Sequence, residues 1–295
     1  MRRGLVGAFA ALFLSLAAMV AAPARAEPAL WRVTDADTEM VLFGSVHTLP
    51  EHIEWRDDAL DAVLASADLV VFEILTPETE EEQWAMVAPL MEYMYSPRPL
   101  REVLSAPTWA RLEALMTDRA MPVIAFEHLR PWAASMMLEI AISEEQGSLE
   151  DLGVDTVLEQ SLAADKRTEA LDTPALLLAT IQALAAYGDA EAEDLLVQTL
   201  DWIEAVDQQP DWQIEEAWSA GEVEVIAGLV EEMKIEAPLL YQALMTDRNT
   251  AWMPALERMM QTEARVVVIV GAAHMAGPDG LPALLRAAGY AVEGP

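Results

Sequence analysis

Arg265-Val266-Val267-Val268-Ile269-Val270 runs straight into Gly271-Ala272-Ala273-His274, and this stretch decides how the rest of the chain is read. An uninterrupted run of β-branched side chains suits a strand buried on both faces, as in a parallel sheet covered by helices. A glycine at its end lets the backbone turn sharply or approach a ligand, and the histidine three positions on can point back over the sheet edge. The device recurs near the N-terminus, where Met40-Val41-Leu42-Phe43 leads into Gly44-Ser45-Val46-His47. A chain with four histidines thus places two of them in Gly-x-x-His after an apolar run. A third run, Asp68-Leu69-Val70-Val71-Phe72, ends in Glu73.

Weaker strand patterns lie at Thr168-Glu169-Ala170-Leu171 and Ala291-Val292. Between the strands, apolar residues recur at three- and four-residue spacing, which predicts helices through Asp57–Ala67, Trp84–Tyr95, Pro107–Arg119, Pro131–Glu145 and Val154–Ala164. The pattern continues through Ala175–Tyr187, Ala190–Val206, Val223–Glu232, Pro238–Met245 and Asn249–Thr262. The expected class is α/β, with an α+β-like character: a central mixed sheet built from N- and C-terminal strands, carrying a mainly helical section at about 77–262. That section could be a separate all-helical domain. An insertion packed over one sheet is preferred, because the first and last strand groups need each other to bury their apolar faces.

Residues 1–26 read as a signal peptide: basic Arg2 and Arg3, an apolar run to Ala22, and the small-residue cleavage site Ala24-Arg25-Ala26. An uncleaved anchor is the alternative, since the run approaches the roughly 18–20 residues that span a bilayer. Residues 27–295 form one domain in this reading, exported to the periplasm or secreted, with no stable membrane insertion after signal removal. The absence of cysteine rules out a lipoprotein anchor, disulfides, thiolate metal sites and cysteine nucleophiles. A net charge of −33 repels phosphate backbones and argues against nucleic-acid partners. Oligomeric state leaves no signature.

In sheets with parallel strands, ligands collect outside the carboxyl ends, so three such ends could bring His47, Glu73 and His274 together. Two imidazoles and a carboxylate suit a divalent transition metal of the Mn, Co or Zn class with open positions for water. Each residue alone would read as a hydrogen-bonded loop residue, and Glu73 as an N-cap or surface acid. His52 and His128 sit in polar, turn-like surroundings and read as surface or capping residues. Ser45 lacks the Gly-x-Ser-x-Gly elbow of serine hydrolases. Asp247-Arg248-Asn249 opens a predicted helix, with Asp247 able to cap it and Arg248 able to reach an anionic substrate or intermediate. Gly153-Val154-Asp155 and Leu171-Asp172-Thr173 present acids at turns or helix starts, where capping is the usual role.

The two Gly-x-x-His segments, Val70-Val71-Phe72-Glu73, Pro131-Trp132, Gly153-Val154-Asp155 and Arg248-Asn249 occur in the order that resembles the TraB/GumN (PrgY, TIKI) family. The resemblance covers essentially the whole chain after the leader. It implies a fold like that of erythromycin esterase and ChaN. Because animal TIKI members are metal-dependent proteases, it also implies His47, Glu73 and His274 as metal ligands, with Glu73 and Arg248 catalytic. Where many relatives have Leu-Glu-Thr, this chain has Leu171-Asp172-Thr173, whose shorter reach argues against a direct role for Asp172. The function expected on these grounds is an exported metal-dependent hydrolase of peptide or amide bonds. Its rivals are a non-catalytic protein that binds a peptide, a haem-like group or another small molecule, and an accessory factor in exopolysaccharide assembly.

Overall fold

A computed structural model describes residues 27–206 and 213–295, so the leader lies outside the described residues. Among the described residues eight strands occur in chain order: β1 Leu30–Thr34, β2 Glu39–Ser45, β3 Leu49–Pro50, β4 Leu69–Phe72, β5 Ser148–Leu149, β6 Thr168–Ala170, β7 Arg265–Gly271 and β8 Ala291–Glu293. Six of them form a sheet in the order β6-β4-β7-β2-β1-β8, while β3 and β5 make a small separate pair. The strongest apolar runs occupy the centre. β7 lies parallel to both β2 and β4, with Ser45 opposite Gly271 and Phe72 opposite Ile269. β6 continues the parallel block beyond β4, and β1 and β8 close the other side in antiparallel register. The class is therefore α/β with a mixed sheet, and its core joins the two ends of the chain.

Strand alternation sorts the sheet's side chains onto two covered faces. Met40, Leu42, Val266, Val268 and Val270 pack with Trp252, Leu256, Met259 and Leu285 on one side. Val41, Phe43, Val267 and Ile269 pack with Trp55, Leu60, Leu158 and Trp218 on the other. Burying each such side chain contributes about 1.5–3 kcal/mol, which is why runs with no polar interruption settle in the centre.

The helical section has a further core of its own, in which Leu112, Met116, Trp132, Leu138 and Ile142 meet Leu196, Leu200 and Ile203. The section still contributes β6 to the edge of the central sheet, beside β4, so it is joined to that sheet by hydrogen bonds as well as packed against it.

The sequence places a helix start at Asn249 with Asp247 as its cap, and here the structure differs. Helix Pro238–Tyr241 passes through a π-helical turn, Gln242–Thr246, into helix Asp247–Thr262. Thr246 and Asp247 both have helical dihedrals, and the Asp247 amide donates to Gln242 O. Buried Tyr241, Ala243 and Met245 carry the helix through the polar tripeptide, leaving no free end to cap. A π turn inserts one extra residue and shifts the helix phase, as is frequent near functional sites. Beyond it, Arg248, Asn249 and Trp252 are all buried.

Candidate functional site

Four parallel strand ends deliver the site. Glu73 follows β4 directly, with its amide donating to Ile269 O at 3.2 Å, and Asp172 follows β6, with its amide donating to Glu73 O at 2.9 Å. His47 and His274 follow β2 and β7. A Cβ added to Gly271 would lie 3.5 Å from Glu73 Oε2, 3.5 Å from His274 Cδ2 and 3.8 Å from His47 Nε2, so all three predicted residues face the same glycine. Gly44 serves packing instead, because its own Cβ would come within 2.9 Å of Ala272 Cα, so the two Gly-x-x-His segments meet there. Neither glycine has a positive φ; close approach of the backbones explains Gly44, whereas at Gly271 the missing side chain leaves open the space between the three side chains. Trp218 Nε1 donates to Gly44 O at 2.7 Å and fixes the end of β2 from the opposite side.

Arg248 joins the cluster from its helix. It pairs with Glu73 Oε1 and donates from Nη2 to Asp172 Oδ2 at 2.7 Å. Its Nη1 lies 3.3 Å from His274 Nε2, and its guanidinium carbon stands 4.8 Å from the centre of the Trp252 ring. Asp172 Oδ1 accepts from Trp252 Nε1 at 2.8 Å. The shorter side chain therefore reaches Arg248 and Trp252 but does not line the cleft itself. Asp172 orients Arg248 from below, with none of its side chain exposed.

Both imidazoles are held through Nδ1. His274 Nδ1 meets Asn249 Oδ1 at 2.6 Å, and His47 Nδ1 meets Asp155 Oδ2 at 3.2 Å. An oxygen acceptor at Nδ1 keeps the proton there and leaves the Nε2 lone pair facing the site, a state suited to metal ligation. Asp155 is thus a partner of His47 rather than a helix cap. It is brought in by the bond from Val154 N–H to Val46 O at 2.9 Å. Gly153 makes this docking possible, since a Cβ there would sit 2.1 Å from His47 O. Exchanging Gly153 for Ala is expected to push the two segments apart and lower Tm, together with any function of His47; an unchanged melting curve would contradict this.

Burial pushes the Glu73 carboxyl up, but Arg248 and the two imidazoles pull it down to about 2, so it is ionised. Burial, with help from Arg248 and His47, takes His274 down to about 4 against the pull of Glu73, so it is neutral at pH 7. His47 is raised by its bond to Asp155. Burial raises Asp172, opposed by Arg248.

The first two shifts share a sign. As pH falls below 6.5 the unfolded chain takes up a proton that folded His274 refuses until about pH 4. Glu73 stability, present above 4.5, is lost on the way down to about 2. His47 acts in the opposite sense, but 61% of its side chain is exposed and its contribution is correspondingly small. With chelator present, Tm is expected to fall steadily below pH 6.5, the unperturbed value for His274, and more gently in His274→Asn. Identical slopes for both proteins would refute this reading of His274.

His52 and His128 are exposed, and His128 Nδ1 lies 3.2 Å from Ser96 O, so neither belongs to the site. Ser45 lines the cleft, its hydroxyl buried and without a hydrogen-bond partner among the described residues.

In residue type and tautomer, the donors turned toward Gly271 suit a divalent transition metal. They do not close into a shell here. His274 Nε2 and Glu73 Oε2 are 3.8 Å apart, Arg248 engages the other Glu73 oxygen, and among the described residues no group of three His, Cys, Asp or Glu side chains is spaced to hold a metal ion. Gly271→Ala would place a methyl group among the three side chains without backbone strain. It is expected to leave Tm within about 1 °C while abolishing any ligand or metal binding there; retained binding would show that the space beside Gly271 is not used.

The cluster opens into a cleft of about 600 Å³, walled by Met136, Leu229, Val230, Met233, Leu244 and Met245. Among the described residues no helix is long and apolar enough to cross a membrane. No curated protein and no solved structure matches the chain. A family model described as the TraB/PrgY/gumN family matches residues 29–294. With nearly its whole length covered, the chain belongs to the TraB/PrgY/gumN family.

Proposed function

We propose that this protein is an exported metal-dependent hydrolase acting on peptide or amide bonds, with its centre at His47, Glu73 and His274. The observation that carries the reading is the convergence of these three side chains on Gly271 at the floor of a cleft. Each is held by a partner: Asp155, the Gly271 amide and Asn249 respectively. A divalent transition metal of the Mn, Co or Zn class, held by these three residues, would polarise a carbonyl and make bound water a nucleophile near neutral pH.

The chain's own groups do the remaining work. Arg248 is positioned to neutralise charge developing on a carbonyl oxygen, because Asp172 and Trp252 hold its guanidinium in place. Glu73, ionised, can accept a proton from water or ligate through Oε2. The apolar walls lower the local polarity around Arg248 and Glu73, whose side chains are largely buried, and strengthen their interactions. A fold like that of erythromycin esterase and ChaN belongs to the same reading, supported by parallel strand ends that gather the site from four places in the sequence. Export rests on the leader, and a mature N-terminus at Glu27 tests it.

The apolar walls also favour a second reading, a non-catalytic receptor for a peptide or haem-like ligand. Time-resolved mass spectrometry of a defined peptide mixture with Mn, Co or Zn separates the two. The hydrolase produces new fragments that chelator suppresses, whereas a receptor returns every peptide intact.

A further inference from the structure

Beyond the cleft lies a second chamber of about 440 Å³ that shares Met136, Met233 and Leu244 with it, so the two spaces adjoin where the strand ends meet the helical section. They differ in character. The strand-end part contains Arg248, whereas among the described residues lining the second chamber none is cationic and two, Glu139 and Glu236, are carboxylates. Glu139 is held in a relay: Ser135 and Thr199 hydroxyls lie 2.9 Å apart, and Thr199 donates to Glu139 Oε1 at 2.8 Å. The relay fixes the carboxylate against the wall while leaving it open to the chamber. Among the described residues no cation pairs with it, and burial raises its pKa against the hydrogen bond from Thr199. Around it the wall is apolar, with Met136 and Trp202 exposed to the space.

We infer that this chamber is a specificity subsite for a lysine or arginine side chain, set among apolar residues, of an extended peptide whose reacting bond lies beside Gly271. The aliphatic stem of such a side chain matches the methionine and tryptophan wall, and its charged head matches Glu139. A chain with a net charge of −33 would also draw a basic peptide in by long-range attraction. The inference rests on the proposed use of the cleft as a substrate site.

The test uses two fluorescein-labelled apolar peptides that differ only by lysine in place of norleucine, titrated by anisotropy against the wild-type protein, Glu139→Gln and Met136→Trp. Glu139→Gln keeps an oxygen for Thr199 and removes the charge. The wild type is expected to bind the lysine peptide about tenfold more tightly, Glu139→Gln to lose that preference, and Met136→Trp to bind both peptides more weakly. The inference is overturned by equal affinities in the wild type, by a preference that survives Glu139→Gln, by unaltered affinities in Met136→Trp, or by the absence of binding. Preference without cleavage leaves the subsite standing and removes the hydrolase, and cleavage without preference does the reverse.

Discussion

His47→Ala and His274→Ala are each expected to lower peptide hydrolysis by a factor on the order of 10³ or more, since groups that act as one unit fail together. The two variants should differ in stability. His47 is largely exposed, so its removal should leave Tm nearly unchanged. His274 is buried, its ring centre 4.5 Å from that of Trp252, so truncation there opens a cavity and leaves Asn249 Oδ1 without its partner. Asp155→Ala, which frees His47 without deleting it, is expected to reduce metal affinity about 10–100-fold. Steady-state rates with added metal, measured beside melting curves, check all three; turnover equal to wild type in both histidine variants would remove these residues from the reaction.

Arg248→Met is expected to cost about 3–5 kcal/mol, the usual consequence of leaving buried charge uncompensated. Two carboxylates depend on this one guanidinium: Glu73, with 11% of its side chain exposed, and Asp172, with none. For a domain of this size the loss corresponds to a drop in Tm of roughly 10 °C. The triple variant Arg248→Met, Glu73→Gln, Asp172→Asn removes the charges together and should recover more than half of it. A triple variant no more stable than the single one would mean that the guanidinium acts through packing on Trp252 rather than through charge.

Legibility from sequence follows the range of the interactions involved. β2, β4 and β7 stand out because a strand buried on both faces must be apolar at every position, and their ends give His47, Glu73 and His274 directly. β1 is less visible: Arg32 is exposed in its middle, and its role comes from pairing with β2 and β8. Asp155 and Asp172 resemble helix-start acids locally, while their contacts lie 108 and 76 residues away in the chain. No periodicity encodes a pairing of that kind. The one local signal is Gly153, whose lack of a side chain marks a close approach of backbones. Asp247 misleads for the opposite reason: a good capping residue is overridden by the buried helix that runs through it.

The central claim is that His47, Glu73 and His274 share one metal. Elemental analysis of protein purified without chelator or nickel affinity, run beside His47→Ala, tests it most directly. A near-stoichiometric transition metal in the wild type that is lost in the variant is the predicted result; a wild type free of metal, or a variant that keeps it, would contradict the claim.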